Sequence, residues 1–208
     1  MNQSSADAAF LSDIEYPSLL QGFIMKQELQ EILATFAISI LETYNLSFIP
    51  TDSRFLDAAA VAKRLGGTVV MYEYPIEVSV CRNRDSFIAF IPEEKEKQQQ
   101  AKHMAEAVAI LFLKMGYQSN QETFEKLKDL EKITVKTKTG ENKTLYEELK
   151  LLKNELLLPR RQLRDLVKTY ADENQYIRIA DLSKELGFSY NFIEMRLMQT
   201  GMIQSQWL

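Results

Sequence analysis

Side chains able to bind a catalytic metal are scarce in this chain, whose single histidine is His103. A zinc peptidase with the His-Glu-x-x-His motif needs two imidazoles one helical turn apart, and a glutamate beside the first imidazole to activate water. If His103 is aligned with the first ligand, Met104 stands at the position of the base and Ala107 at that of the second ligand. We therefore predict no catalytic residue, no metal and no cofactor. We expect His103 to be a solvated or hydrogen-bonded surface residue.

Two glutamates are the remaining candidates for metal ligation. Glu106 follows His103 by three residues, and an alignment that makes Glu106 the base removes the histidine from both ligand positions. Glu148 stands beside Glu147, where a solvated helix face is the simplest interpretation. One imidazole and one carboxylate do not make a zinc site.

The chain's one cysteine, Cys81, excludes an intrachain disulfide and fits a reducing compartment. It stands in a strand-like segment next to Val80, so we expect a small packing residue and not a nucleophile. Gly66 and Gly67 precede another strand-like run. We interpret them as the end of a helix and not as a phosphate-binding loop.

The composition is that of an ordinary globular chain, with 46% hydrophobic and 26% charged residues among 208. The net charge of −4 argues against a broad surface for nucleic acid. No apolar run approaches the roughly 20 residues of a membrane span, and the first residues lack the basic and apolar regions of a signal peptide. We expect a cytoplasmic protein without membrane contact.

Apolar periodicity predicts an α+β fold with a short three-stranded sheet packed on helices, followed by a helical C-terminal unit. The predicted domains are an arm at 1–24, a main domain at 25–172 and the C-terminal unit at 173–208. Predicted strands cover 68–74, 76–81 and 86–91, and a ribbon or loop covers 133–144. Predicted helices cover 26–44, 52–65, 93–115, 123–131, 145–158 and 160–171.

The C-terminal unit has a helix-turn-helix pattern, with helices at 179–186 and 190–199 and a turn at 187–189. Its second helix carries residue types that can read base edges, namely Tyr190, Asn191, Arg196 and Gln199. Positive charge beside it could come from Arg160, Arg161, Arg164 and Lys168. Because that helix itself has one positive charge and also carries Glu194, we favour a helical packing unit over direct DNA readout.

Both ends of the chain carry apolar side chains that could contact a partner. The arm at 1–24 is weakly patterned, and either docks on a partner through Phe23 and Ile24 or is a loosely ordered terminus. Met25 is an alternative start. The late apolar residues, which include Trp207, either cap the core or pair two subunits in a homodimer.

Four segments stand in the order found in the ImmA/IrrE family, metallopeptidases of phages and integrative elements. They are 58–67, 86–92, 148–159 and 181–189, the last followed by Arg196 and Leu197. The chain resembles this family over residues 26–203. The resemblance implies a zincin-like domain whose metal site has degenerated to His103, Glu106 and Glu148. It also implies an old cleft filled by small or flexible residues, namely Met104, Ala105, Ala107, Val108 and Ala109.

Three functions follow from these observations. The first is a non-catalytic regulator of a phage or mobile element, which binds a protein partner as an antirepressor or inhibitor does. The resemblance implies a helix-turn-helix repressor as partner, with a host defence protein as a variant. The second is a DNA-binding transcriptional regulator, and the third is a metallopeptidase with atypical ligands.

Overall fold

The computed structural model describes residues 16–74, 77–83, 86–115, 141–172 and 177–203, with the backbone alone at 16–26, 83 and 141–145. These residues form seven α-helices and three β-strands, which confirms the predicted α+β class. The strands are β1 (Thr68–Tyr72), β2 (Ser79–Asn83) and β3 (Ser86–Pro92). The helices are α1 (Tyr16–Thr43), α2 (Ala58–Arg64), α3 (Lys97–Leu113), α4 (Glu141–Leu157), α5 (Arg160–Tyr170), α6 (Ile179–Leu186) and α7 (Tyr190–Gln199).

The first helix is longer than predicted, because α1 begins at Tyr16 and not at residue 26. Pro17 does not prevent this, since the first turn of a helix has unpaired N–H groups in any case. Residues 16–24 of the predicted arm are therefore helical, and the rest of the arm lies outside the described residues. Phe23 and Ile24 lie within α1, on its backbone-only part.

The second helix begins later than residue 52, its predicted start. The cap is Asp57, whose Oδ1 accepts the backbone N–H of Ala60 at 2.7 Å. Asp52 instead accepts the backbone N–H of Arg54 at 2.8 Å and closes a turn. The predicted helix end is confirmed, because Gly66 has φ 81°, a left-handed conformation that glycine adopts without strain.

The sheet has the strand order β1-β3-β2. β1 runs parallel to β3 and β2 runs antiparallel to it, so that Ile88 pairs with both Thr68 and Cys81. β2 begins at Ser79 and not at residue 76 as predicted. Alternate residues of β3 point into the core, and Phe87, Ala89 and Ile91 are buried there.

Three helices build the core on the inner side of the sheet. α3 packs on β2, β3 and α4, and α4 also packs on α1. Phe36 of α1 meets Phe112 of α3 edge to face, with ring centroids 5.9 Å apart.

α3 begins four residues later than predicted. Residues 141–144, predicted as part of a ribbon, are helical, while the predicted helix at 123–131 and the ribbon at 133–140 lie outside the described residues.

The last two helices have the predicted bounds. Gly187 between them has φ 68°, and the Ser183 hydroxyl donates to the Phe188 carbonyl at 2.6 Å. Ile193 is fully buried, and both helices contribute to the same hydrophobic core as α1–α5. Among the described helices, none is both long and apolar enough to cross a membrane. Trp207 lies outside the described residues.

Candidate functional site

The positions that would carry a zincin's chemistry are occupied by core packing. Met104 and Ala107 of α3 are each 1% exposed and belong to the hydrophobic core. Their buried α3 neighbours are Ala105, Val108 and Ala109. The interior on this side of α3 is therefore filled with apolar side chains, which leaves no room for a water-activating group at these positions.

The three residues predicted as remnants of a metal site contact other parts of the chain and do not form a common site. His103 is partly exposed, and its Nε2 lies 3.3 Å from Oε1 of Glu94, so it is the hydrogen-bonded surface residue that we predicted. The Lys153 ammonium of α4 donates to Oε2 of Glu106 at 3.0 Å. Across the described ranges, no group of three His, Cys, Asp or Glu residues could hold a metal ion.

Glu148 does not lie on a solvated helix face, and that prediction is wrong. It is 8% exposed, whereas its neighbour Glu147 is exposed. The physical reason is that α4 packs against both α1 and α3, so that little of its circumference faces water.

Among the described lysines and arginines, Arg196 of α7 is the most buried, with 1% exposure. Its guanidinium lies 2.8 Å from Oε1 of Glu155 and donates to the Leu158 carbonyl at 2.7 Å. Burial lowers the pKa of Arg196, and the Glu155 carboxylate partly opposes this effect. Our prediction of Arg196 as a nucleic-acid contact is therefore wrong, because the side chain is enclosed by α4 and not presented to solvent.

The same polar network includes two further candidates for nucleic-acid contact. Oε2 of Glu155 accepts the backbone N–H of Arg160 at 2.9 Å, at the start of α5. The Arg160 guanidinium donates to Glu31 and, at 3.2 Å, to Gln30, both on α1. The Gln199 side-chain carbonyl accepts the Asn154 amide at 3.1 Å. Arg160 and Gln199 therefore bind other helices of the chain.

Glu155 and Asn154 are central to this network, and the sequence analysis did not single them out. A signal was present, since both polar residues stand directly before the apolar run Leu156–Leu158 and the helix-ending Pro159. A polar pair enclosed in an apolar segment predicts a buried hydrogen-bonding role.

The turn between α6 and α7 packs on the loop that precedes α2. The Thr51 hydroxyl donates to the Glu185 carbonyl at 2.5 Å. A Cβ atom at Gly187 would lie 3.2 Å from both Pro50 and Thr51. Tyr190 and Asn191 remain exposed on α7, and Arg161, Arg164 and Lys168 remain exposed on α5. An internal contact at the turn favours the packing unit that we preferred over direct DNA readout.

The outer face of the sheet exposes apolar side chains. Val70, Tyr72 and Ile88 are 38%, 40% and 41% exposed, and the Tyr72 and Phe90 rings lie 6.1 Å apart. Register and alternation place the following described side chains on this face, which we call the outer sheet face: Thr68, Val70, Tyr72, Ser79, Cys81, Ser86, Ile88 and Phe90. In the sequence, both alternating sets of β3 positions carry apolar residues, so that both faces of this strand are apolar. This pattern was the signal for an exposed apolar face.

Cys81 is exposed on the outer sheet face, so our prediction of a packing residue is wrong. The strand alternation explains the error. Val80 takes the buried position, at 7% exposure, and Cys81 therefore points to the opposite side beside Ile88.

Two grooves lie elsewhere on the described surface. One, of 590 Å³, is lined by the end of α1, the loop at 45–49 and the start of α5, with Glu42, Arg161 and Asp165 among its residues. The other, of 890 Å³, lies between α1 and the end of α7 and includes Glu28, Glu31 and Arg160. Each groove is lined by charges of both signs, and neither groove brings together side chains suited to one particular reaction.

Comparisons with known proteins identify no relative: no family model, no curated protein and no solved structure matches this chain.

Proposed function

We propose that this chain is a non-catalytic regulatory protein that binds a protein partner through the outer sheet face. The observation that carries the proposal is the exposure of Val70, Tyr72 and Ile88 on one side of the sheet. An antiparallel or mixed sheet with one solvated side normally has polar residues there. Contiguous exposed apolar patches mark interaction sites in folded proteins.

The packing of α3 supports binding over catalysis. Met104 and Ala107 are buried where a zincin needs a base and a ligand, while His103 and Glu106 are engaged with Glu94 and Lys153. A scaffold of this kind can hold a partner in a fixed ratio without changing it.

The ImmA/IrrE resemblance supplies the candidate partners. A degenerate relative in a phage or mobile element would bind a helix-turn-helix repressor or a host defence protein in the cytoplasm. The zincin-like fold, the helix-turn-helix identity of α6 and α7, and this partner class stay predictions that belong to the same proposal.

The test compares three affinity-tagged forms of the full chain expressed in the native host. They are the natural chain, the face variant Val70→Lys/Ile88→Lys, and the control Tyr146→Lys, which changes an aromatic side chain of α4 that is 64% exposed. We expect a partner that the natural chain and the control retain and that the face variant loses. Thermal unfolding of all three forms checks that the lysines leave the fold intact.

The intact mass of the retained partner then separates binding from cleavage. The proposal requires an unshortened partner after prolonged incubation with the chain. It is overturned by a cleaved partner, or by a partner that the face variant retains as well as the natural chain does.

A further inference from the structure

The two ends of the outer sheet face differ in charge. Because β1 and β3 run parallel, Tyr72 and Pro92 lie at the same end of the sheet, where β2 begins. Three exposed glutamates stand next to these strand ends in the chain: Glu73, Glu77 and Glu93. We call these three residues the acidic end.

The carboxylates of the acidic end have no ion pair within the part of the chain that the structure describes. Lys95 is the one lysine between β3 and α3, and it is exposed. Lys97, at the start of α3, lies 5.8 Å over the Phe55 ring. The three carboxylates of the acidic end and the exposed Glu96 outnumber the exposed ammonium groups of Lys95 and Lys97, which leaves negative charge at this end.

The cations near the opposite end of the sheet bind backbone carbonyls. Arg82 of β2 donates to the Met115 carbonyl at 2.6 Å. Arg64, at the end of α2, donates to the carbonyl of Asn45 and, at 3.5 Å, to that of Tyr44. These exposed guanidiniums keep their positive charge when they donate to neutral carbonyls. The sheet therefore has carboxylates at one end and cations near the other, which gives the outer sheet face a direction.

We infer that the outer sheet face binds a protein segment whose apolar side chains adjoin a run of lysine or arginine, with the basic run at the acidic end. This inference rests on the proposed function and adds the chemistry of the partner. The apolar side chains would cover Val70, Tyr72 and Ile88. The basic run would neutralise the acidic end, and such complementarity fixes the orientation of a bound segment.

The test uses the full chain and two synthetic peptides. One peptide alternates Val, Ile and Phe with Thr and ends in a run of Lys and Arg; the other replaces that run with Glu and Asp. Because three exposed charge pairs together contribute about 1.4 kcal/mol, we expect the basic peptide to bind about tenfold more tightly at low salt. The preference should shrink as salt shortens the screening length from about 30 Å to about 8 Å.

Matched variants assign the preference to the acidic end. Glu73→Gln/Glu77→Gln/Glu93→Gln should abolish it, whereas Glu28→Gln/Glu42→Gln/Glu147→Gln should keep it. Both sets remove three exposed carboxylates, so the net charge of the chain changes equally. Val70→Lys/Ile88→Lys should weaken both peptides.

Several results would overturn the inference. They are equal binding of the two peptides, no binding of either, or equal effects of the two glutamine sets. Light scattering tests a second copy as the occupant, and a dimer that Val70→Lys/Ile88→Lys converts to a monomer would also overturn it. If the partner is lost from the face variant while the peptides bind equally, the proposed function stands and the charge inference alone fails.

Discussion

At the scale of single residues, the Arg196–Glu155 pair joins α7 to α4 inside the molecule. Its two side chains are 1% and 6% exposed, so neither charge is solvated by bulk water. A buried pair of this kind contributes little net stability compared with apolar side chains, but the loss of one partner leaves the other charge buried alone. The pair therefore makes the position of α7 depend on both residues.

We predict that Arg196→Met destabilises the chain by about 3–5 kcal/mol, because Glu155 is left as an unpaired buried carboxylate. Denaturant unfolding measures the difference. The control Arg164→Met removes an exposed arginine of α5 and should change stability by no more than about 0.5 kcal/mol. The double variant Arg196→Met/Glu155→Gln should lose less than the sum of the two single variants. Equal stabilities for Arg196→Met and the control would contradict this account.

Asp52 gives a prediction about pH. The hydrogen bond from the Arg54 side chain lowers the pKa of Asp52, helped by the Arg54 backbone N–H and the Ser47 hydroxyl and opposed by burial. Because the folded pKa lies below the unfolded value of about 3.9, the carboxylate's stabilisation is complete above that pH and is lost as pH falls through the folded pKa.

Asp52→Asn should therefore destabilise the chain at neutral pH by at most about 1 kcal/mol, since Arg54 is largely exposed. The difference from the natural chain should begin to shrink at about pH 4 and should disappear below the folded pKa of Asp52. Denaturant unfolding across the acid range measures it, and Arg54→Met should behave in the same way. A difference between natural chain and Asp52→Asn that stays constant down to the lowest pH would refute the assignment.

At the scale of elements, the turn between α6 and α7 depends on a glycine with two constraints. Gly187 has φ 68°, and its missing Cβ would lie 3.2 Å from Pro50 and Thr51. Gly201 has a similar φ of 70° but no atom within 4 Å of its missing Cβ. The two positions thus share the backbone conformation and differ in the space around it.

We predict that Gly201→Ala costs about 1 kcal/mol from backbone conformation alone, and that Gly187→Ala costs at least about 1 kcal/mol more. Thermal or denaturant unfolding of the two variants gives the difference. Equal destabilisation by the two substitutions would show that the turn between α6 and α7 does not pack closely against the loop at 50–51.

The sequence predicts the bounds of a helix or strand well where local signals mark those bounds without competition. Ile179–Leu186 and Tyr190–Gln199 have the predicted bounds, because Gly187 marks the turn and apolar spacing marks each helix. The predicted start of α2 was wrong because two aspartates, Asp52 and Asp57, are both good N-cap residues and compete as signals for the helix start. The burial of Glu148 and Arg196 could not be predicted, since it depends on which sides of α4 and α7 face other helices.

At the scale of the whole molecule, the described helices cover one side of the sheet and leave the outer sheet face open. The sequence showed that β3 is apolar on both sides, but not which side α3 would cover. Covering the inner side buries Phe87, Ala89 and Ile91 and leaves Ile88 to solvent. The exposure of the proposed binding surface is therefore a consequence of packing, although its residues are set by strand alternation.

The chain's only cysteine provides a direct measurement of the central claim, because Cys81 lies on the outer sheet face beside Ile88. The rate at which a maleimide modifies Cys81 is measured on the natural chain, alone and with increasing amounts of the co-purified partner. The account predicts that modification slows in proportion to the bound fraction and nearly stops at saturation. An unchanged rate in the saturated complex would show that the partner binds elsewhere, and would contradict the account.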